Sequence, residues 1–210
     1  MAIQGYAKPP YSPTRFPAGV TNANAGETLG NLGELDPTKL QTVFGDFNLG
    51  ITGWAGVTAA PVAGPGGLVT ITAAGSVSTP LASFVLVAGR RAFAKTKIAA
   101  VGLTASIITG FFNTLLAPTN GVYVTVVSNV LTLTVDDVTS AVPVAYIAGE
   151  QFTVGVELLP SGKILAYFND TAVTSITPVL TTHFGVNFLV GASSAVANAT
   201  LDYVFAAVER

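Results

Sequence analysis

An alternation with period two, from about Thr42 onward, constrains the fold of this chain more than any other feature. Valine, leucine, isoleucine and phenylalanine recur at every second position in short runs, with glycine, proline or asparagine between the runs. This period puts apolar side chains on one face of a β-strand, whereas an amphipathic helix repeats every 3.6 residues. No long run with the helical period is visible. The chain is therefore predicted to be all-β.

Two hairpins are predicted from this pattern. In the first, Val122, Val124 and Val126 of the run Gly121 to Val127 share one face, Ser128-Asn129 makes a tight turn, and Leu131, Leu133 and Val135 return. In the second, Gln151 to Asn169 turns at Pro160-Ser161-Gly162. Short strands at regular intervals with turn residues between them are typical of an antiparallel β-sandwich. A final run, from Leu201 to Ala207, is expected to lie within a sheet.

The first 40 residues differ in composition from the rest. Residues 1–40 are predicted to be an extended Pro/Gly-rich N-terminal arm, and residues 41–210 the β-sandwich domain. Four prolines lie within the first 17 residues, and proline fixes φ and removes a backbone donor, which disfavours helix and central strand alike. The arm is either disordered or extended against another surface. Tyr6, Tyr11 and Phe16 favour the second alternative, because disordered tails are poor in aromatic residues.

Charge is scarce, and this narrows the classes of function. Only 10% of the 210 residues are charged, and Phe47–Gly89, Ile98–Val135 and Thr171–Leu201 contain no Asp, Glu, Lys or Arg. A formal net charge of -2 gives no basic field for nucleic acid. A membrane span needs about 20 consecutive apolar residues, and polar residues interrupt the best candidate, Val101–Ala117, which is better explained by two buried strands. Neither nucleic acid nor membrane is expected as a partner.

The candidates for catalysis and metal binding are weak. Sandwich glucanases often carry Glu-x-Asp-x-x-Glu on one strand, but after Glu34-Leu35-Asp36 this chain has Lys39 at the last position, and glycoside hydrolysis needs two carboxylates. Asp136-Asp137 lacks the further nearby carboxylate of a calcium site, and a solvated strand end explains it better. The single histidine, His183, has no recognisable Ser–His–Asp arrangement. We expect a protein that is not an enzyme and that holds no metal or cofactor.

The densest basic cluster lies on one predicted strand. Arg91, Lys95 and Lys97 alternate with Phe93 onto one face. One interpretation is a solvated face or an edge strand that lysine protects from pairing. The other is a contact patch for the acidic surface of a partner. The sequence leaves both open.

Three stretches together resemble known proteins. Arg15 to Asn22 (Arg-Phe-Pro-Ala-Gly-Val-Thr-Asn) resembles the opening of tailed-bacteriophage structural proteins, and Leu201 to Arg210 is similar to their endings. Val154 to Asn169 resembles the strand–turn–strand of concanavalin-like or laminin-G-like jelly rolls. The resemblance implies a head decoration (cement) protein of a tailed phage, folded as an antiparallel jelly-roll (concanavalin-like) β-sandwich with an extended N-terminal arm. It carries over no catalytic residues.

On this basis the expected function is structural. The protein would decorate and stabilise a phage capsid by binding the outer shell between major capsid subunits, and its location would be the outer capsid surface of the virion. The expected partners are the major capsid protein and further copies of this chain, as a homotrimer on a local symmetry axis. The residues expected to contact these partners are Tyr6, Tyr11, Arg15, Phe16, Arg91, Lys95 and Lys97.

The alternative from a different class is a carbohydrate-binding module on the virion surface. Such a module needs an exposed aromatic side chain and polar groups that converge in a groove. Trp54, Tyr123, Tyr146 and Tyr167 are the available aromatic residues, and nothing in the sequence brings them together.

Overall fold

The computed structural model describes residues 40–45, 47, 51–56, 62–63, 67–72, 74–101, 106–114, 118–177, 187–194 and 199–209. Fifteen β-strands lie within these ranges: β1 (Leu40–Gly45), β2 (Val62–Ala63), β3 (Val69–Ile71), β4 (Gly75–Ser78), β5 (Phe84–Val85), β6 (Ala92–Val101), β7 (Ser106–Phe112), β8 (Gly121–Val127), β9 (Val130–Val135), β10 (Val138–Pro143), β11 (Phe152–Leu158), β12 (Ile164–Phe168), β13 (Thr171–Ile176), β14 (Asn187–Ser194) and β15 (Ala199–Glu209).

The strands form two sheets. The first has the order β13-β12-β11-β6-β15-β3-β2, with β1 also paired to β15, and the second has the order β10-β9-β8-β7-β14-β4, with β5 also paired to β14. Every strand pair described is antiparallel. Side chains from the inner faces of both sheets fill one shared core. The prediction of an all-β antiparallel sandwich is confirmed.

The β8–β9 hairpin follows directly from its sequence. Ser128 and Asn129 both have positive φ, 48° and 64°, which is the backbone of a two-residue turn whose twist matches that of the flanking strands. The alternating apolar residues on either side are almost completely buried in the core. These residues are Val122, Val124, Val126, Leu131, Leu133 and Val135. The predicted hairpin is confirmed, and burial of one face fixes its register.

The β11–β12 hairpin is also confirmed. The backbone N–H of Leu159 donates to the carbonyl oxygen of Lys163 across the turn at 2.9 Å. Gly162 takes a φ of 83° there, a conformation that costs glycine little because it has no Cβ. The inner faces of both strands are buried, with Phe152 and Phe168 stacked at 5.5 Å between ring centroids.

Of the two buried strands predicted within Val101–Ala117, the structure describes one. Ser106–Phe112 is β7, a central strand of the second sheet, whereas Val101 is only the last residue of β6, which belongs to the first sheet. Thr109 of β7 donates its hydroxyl to the carbonyl oxygen of Gly191 at 3.0 Å and also bonds the hydroxyl of Thr96 on β6. This polar link therefore joins the two sheets inside the core. Among the described residues, no helix has the length and apolar character needed to cross a membrane.

The final predicted run forms part of β15, which is central to the first sheet. One side of β15 pairs with β6, and on the other side β3 and β1 pair with successive stretches of it. The prediction that Tyr203 and Phe205 lie within a sheet is confirmed. Of the predicted arm, only Leu40, the first residue of β1, lies within the described residues. Tyr6, Tyr11, Arg15 and Phe16, like Glu34–Asp36 and His183, lie outside them.

Candidate functional site

Lys95 and Lys97 of the basic cluster lie on a central strand, β6, and Arg91 directly precedes it. β6 pairs with β11 on one side and with β15 on the other, so the interpretation as a protected edge strand is wrong. The interpretation as a solvated face is wrong for Lys95, whose side chain is only 2% exposed. Lys95 lies between Gly155 and Phe205 in the sheet register, and a Cβ at Gly155 would lie 3.4 Å from the Cβ of Lys95.

The three predicted basic contact residues that the structure describes each have an acidic partner in the same chain. Lys95 pairs with Asp170, the Nε of Arg91 lies 3.5 Å from Oε1 of Glu157, and the Nζ of Lys97 lies 3.3 Å from Oδ2 of Asp202. All three pairs lie on the outer face of the first sheet. Acidic groups for these three cations are thus supplied within the chain by β11, β15 and the β12–β13 turn. The second interpretation, a contact patch for the acidic surface of a partner, stays a prediction.

Glu157 is the most deeply placed acid of this face. Its side chain is 2% exposed, and its Oε2 accepts a hydrogen bond of 2.5 Å from the hydroxyl of Tyr167. A buried charge needs both a counter-ion and hydrogen bonds to offset its lost hydration, and Arg91 and Tyr167 supply them. Contacts within the chain therefore hold the Glu157 carboxylate in place.

An aromatic cluster lies beside these charges. Phe93 of β6 lies 6.3 Å from Tyr167 and 6.2 Å from Phe205 between ring centroids, and Phe44 of β1 lies 5.8 Å from Tyr203. These distances are typical of favourable ring contacts. The rings of Phe93, Tyr203 and Phe205 are buried although they do not belong to the core between the sheets. Sequence analysis missed this cluster, because only the pairing of β6 with β15 brings its members together.

A polar cleft of about 240 Å³ opens at the end of this face. It is formed where β11 begins, beside β6 and the turn between β12 and β13. The residues that line it are Lys97, Gln151, Phe152, Thr153, Asn169 and Asp170.

The turn that forms one wall of the cleft is firmly held. Asn169 and Asp170 have φ values of 47° and 64°, which asparagine and aspartate tolerate better than most residues. The side-chain oxygen of Asn169 accepts from the backbone N–H of Thr153 at 3.0 Å, and its own backbone N–H donates to the carbonyl oxygen of Thr153 at 2.9 Å. Asp170 also bonds Lys95 and the hydroxyl of Thr153. The wall is therefore fixed before any ligand arrives.

The cleft combines donors and acceptors within a small space. Lys97 carries an ammonium group, Gln151 and Asn169 carry amides, and Asp170 carries a carboxylate that is 46% exposed. Ligand hydroxyl groups both donate and accept, so this set suits a hydroxyl-rich ligand. Phe152 contributes little to the surface because its ring is buried. The Asn169-Asp170 dipeptide between two alternating runs was a turn signal in the sequence, but nothing in the sequence placed it beside Lys97.

The four candidate aromatic residues of the glycan alternative are not gathered into one site. Trp54 is half-buried against Phe47, and its indole lies so close to Gly45 that a Cβ there would approach it to 2.3 Å. Tyr146 is buried against Phe152, and burial raises its pKa above the ordinary value of 10.0. Tyr123 lies on the second sheet, where its hydroxyl donates to the carbonyl oxygen of Pro118. Tyr167 belongs to the cluster on the first sheet.

Asp136-Asp137 forms the turn between β9 and β10, so its predicted place at a strand end is confirmed. The φ of Asp136 is 51°, and its backbone N–H donates to the carbonyl oxygen of Gly121 at 3.0 Å. In the part of the chain that the structure describes, no group of three or more His, Cys, Asp or Glu side chains could hold a metal ion.

Comparisons with known proteins identify a shared fold. No protein-family model and no curated protein matches the chain. Among solved structures, the carbohydrate recognition domain of Emp47p is similar with a TM-score of 0.62 and 12% identity, over 83% of this chain and 99% of that one. An endo-1,3-β-glucanase from Streptomyces sioyaensis has a TM-score of 0.59 and 13% identity, over 84% and 99%.

A third similar structure comes from a phage. The carbohydrate esterase vb_24B_21 from the Shiga toxin-encoding bacteriophage phi24B has a TM-score of 0.54 and 10% identity, over 80% of this chain and 97% of that one. At identities this low, the likeness concerns the fold alone. The two sheets, their antiparallel pairing and these similarities together show that the chain has the concanavalin-like β-sandwich fold.

Proposed function

We propose that this chain is a non-enzymatic carbohydrate-binding module and that the polar cleft is its sugar site. The observation that carries the proposal is the convergence of the Lys97 ammonium, the Gln151 and Asn169 amides and the Asp170 carboxylate in one pre-formed depression. Few, fixed polar groups in a concave site are the usual means of orienting a small ligand. The fold adds support, since it is shared with a carbohydrate recognition domain.

The environment of the carboxylates supports a binding role over a hydrolytic one. A glycosidase needs one carboxyl group as acid and a second as base or nucleophile, both turned toward the same bond. Glu157 is instead enclosed with Arg91 and Tyr167, and Asp170 is paired with Lys95. Glu34-Leu35-Asp36 also lacks the final glutamate of the glucanase pattern. Sugar binding without bond cleavage is the simpler use of this cleft.

A glycan array followed by titration calorimetry tests the proposal. Gln151→Ala and Lys97→Met each remove a polar group of the cleft, and each is expected to weaken binding of the selected glycan about tenfold, which is about 1.4 kcal/mol. Lys163→Met is the matched control, because Lys163 is exposed on the β11–β12 turn at the far end of the hairpin. If the wild type binds no glycan, or if the cleft variants bind as the wild type does, the proposal is wrong.

A second candidate function is decoration of a phage capsid, and the phrases Arg15–Asn22 and Leu201–Arg210 favour it. In this proposal the protein lies on the outer surface of the virion, binds between major capsid subunits and associates as a homotrimer. Many modest interfaces repeated over a shell sum to a large stabilisation. A surface poor in charge can be buried without desolvating ions. Because Lys95 is buried, Arg91 and Lys97 are the better candidates for contact within the basic cluster.

Binding to empty phage heads that lack the protein tests the second candidate. We expect the full chain to decorate them, and the variant Y6A/Y11A/F16A to lose most of its occupancy, because these aromatic residues are the proposed anchors of the arm. Circular dichroism of the variant serves as the control for folding. Full occupancy by a folded triple variant would contradict the arm's role, and failure of the wild type to bind would contradict decoration itself, whatever the glycan array reports.

A further inference from the structure

Each sheet ends in an edge strand on the same side of the sandwich. In the described part of the chain, β10 and β13 each pair with a neighbour on one side only. The two edges lie close together, with the hydroxyl groups of Ser140 and Thr174 2.6 Å apart. An edge strand presents backbone donors and acceptors that can pair with another strand, and proteins usually protect such edges with lysine, proline or a bulge.

The two edges differ in their protection. The pairing of β13 with β12 shifts register between Ala166 and Tyr167, so that Val173 is an extra residue in a bulge. β10 pairs regularly with β9 over six consecutive residues, from Val138 opposite Val135 to Pro143 opposite Val130. It contains no charged residue, and its proline stands at the last position. β10 is therefore a straight edge with almost no protection.

The sequence of β10 complements itself. If two copies of Val138–Val142 pair antiparallel about Ser140, each Val138 lies opposite Val142 of the other copy and each Thr139 lies opposite Ala141. Apolar residues then meet apolar or small residues, which stabilises cross-strand pairs. The charges of Asp136-Asp137 fall beyond the paired segment, so no like charges oppose each other. Thr139 and Ala141 are exposed in the single chain, as this contact requires.

We propose that β10 pairs with β10 of a second copy of this chain across a two-fold axis at Ser140. The two seven-stranded sheets then form one continuous antiparallel sheet. A two-fold contact uses the same surface on both subunits and closes as a pair, whereas a three-fold ring needs two different surfaces. The proposal does not depend on sugar binding, because it rests on backbone pairing and side-chain complementarity alone. It is an alternative to the homotrimer of the capsid candidate.

Sedimentation velocity over a concentration series tests the proposal on the full chain. The wild type is expected to approach twice its mass of 21.3 kDa as concentration rises. In T139K/A141K each lysine faces a lysine of the other copy, and like charges directly opposite destabilise a strand pair. This variant is expected to dissociate at least ten times more readily. In T139K/A141E each lysine faces a glutamate, and pairing is expected to return to at least the wild-type strength.

The matched control is T171K/S175K, which puts two lysines at exposed positions of the other edge, β13. It is expected to pair as the wild type does. Circular dichroism of all variants establishes that each is folded. A wild type that remains a monomer or forms a trimer overturns the proposal. Equal loss of pairing in T139K/A141K, T139K/A141E and T171K/S175K also overturns it, because that pattern would exclude the β10 register.

Discussion

The outer faces of the two sheets differ in chemistry although both belong to one sandwich. The seven strands of the second sheet contain no Asp, Glu, Lys or Arg, whereas Lys95, Lys97, Glu157, Asp202 and Glu209 all lie on strands of the first sheet. Threonine and tyrosine take the outward positions of β8 and β9 instead. The second sheet therefore has no charged residue on any of its strands, whereas the first sheet carries a few on β6, β11 and β15, most of them in ion pairs beside an aromatic cluster.

The two outer faces are therefore made polar by different groups: hydroxyl groups on the second sheet and ion pairs on the first. Threonine hydroxyl groups keep the second face polar without ions that a contact would have to desolvate. On the first face the ion pairs fix side chains in place, and one of them holds the turn that forms the wall of the cleft. A contact surface suits the second face, and a site with fixed geometry suits the first.

The largest expected effect comes from removing a ring of the aromatic cluster. Phe205 is only 1% exposed, so Phe205→Ala should destabilise the fold by about 3 kcal/mol, within the usual range for a buried phenylalanine. Tyr123→Ala on the half-buried outer face of the second sheet should cost about 1 kcal/mol. Urea unfolding of both variants measures the two free energies. Equal losses would show that the two faces are packed alike.

A smaller effect is expected from the pair of Lys95 and Asp170. Asp170→Asn removes the carboxylate that neutralises a buried ammonium and should destabilise the fold by about 2 kcal/mol, a value reduced because Asp170 is half-exposed. Lys95→Met removes the buried charge itself, and the aspartate can hydrate, so the loss should be below about 1 kcal/mol. Urea unfolding distinguishes the two variants. The reverse order would mean that the carboxylate, and not the ammonium, is the group that burial penalises.

The smallest expected effect is a loss of stability at alkaline pH that comes from Tyr123 on the outer face of the second sheet. Burial, and to a lesser degree the nearby Asp137, raises the pKa of Tyr123 above its ordinary value of 10.0, although a hydrogen bond to Thr134 opposes the shift. The neutral phenol is thus favoured in the folded state. The contribution of the neutral phenol to the free energy of unfolding is complete below the pKa that Tyr123 has in the unfolded chain. It is lost as the pH rises through the pKa that Tyr123 has in the folded state.

Tyr123→Phe tests this prediction. Between about pH 9 and about pH 11 the variant should lose less stability than the wild type, by under about 1 kcal/mol. Unfolding free energies at the two pH values measure the difference. Identical pH dependence in both proteins would contradict it.

Local patterns predicted the local structure correctly. The β8–β9 and β11–β12 hairpins depend on turn residues and alternation within about 20 residues, and both formed as expected. The environment of Lys95 was not predictable in this way. It depends on β15 and β11 lying on either side of β6, and strand order is not encoded in any single strand.

The cleft was likewise predictable in its local turn and not in the strand pairing that places the turn. The turn at Asn169 and Asp170 has a local signal, because asparagine and aspartate favour positive φ. Its position beside Lys97 arises only when Thr153 of β11 pairs with Lys97 of β6. Contacts between residues that strand pairing brings together from distant parts of the chain could not be predicted from the sequence alone.

The central place of β15 has a consequence for how the protein is made. β7 to β10 and β11 to β13 pair with strands that are near in sequence, so these meanders can form as soon as they leave the ribosome. Only after β15 has been synthesised can it pair with β1, β3 and β6. Contacts between such distant segments slow folding. During synthesis the first sheet therefore remains split, with strand edges exposed that favour aggregation. The step at which a chaperone would matter most is the completion of this sheet, which cannot occur before β15 has been synthesised.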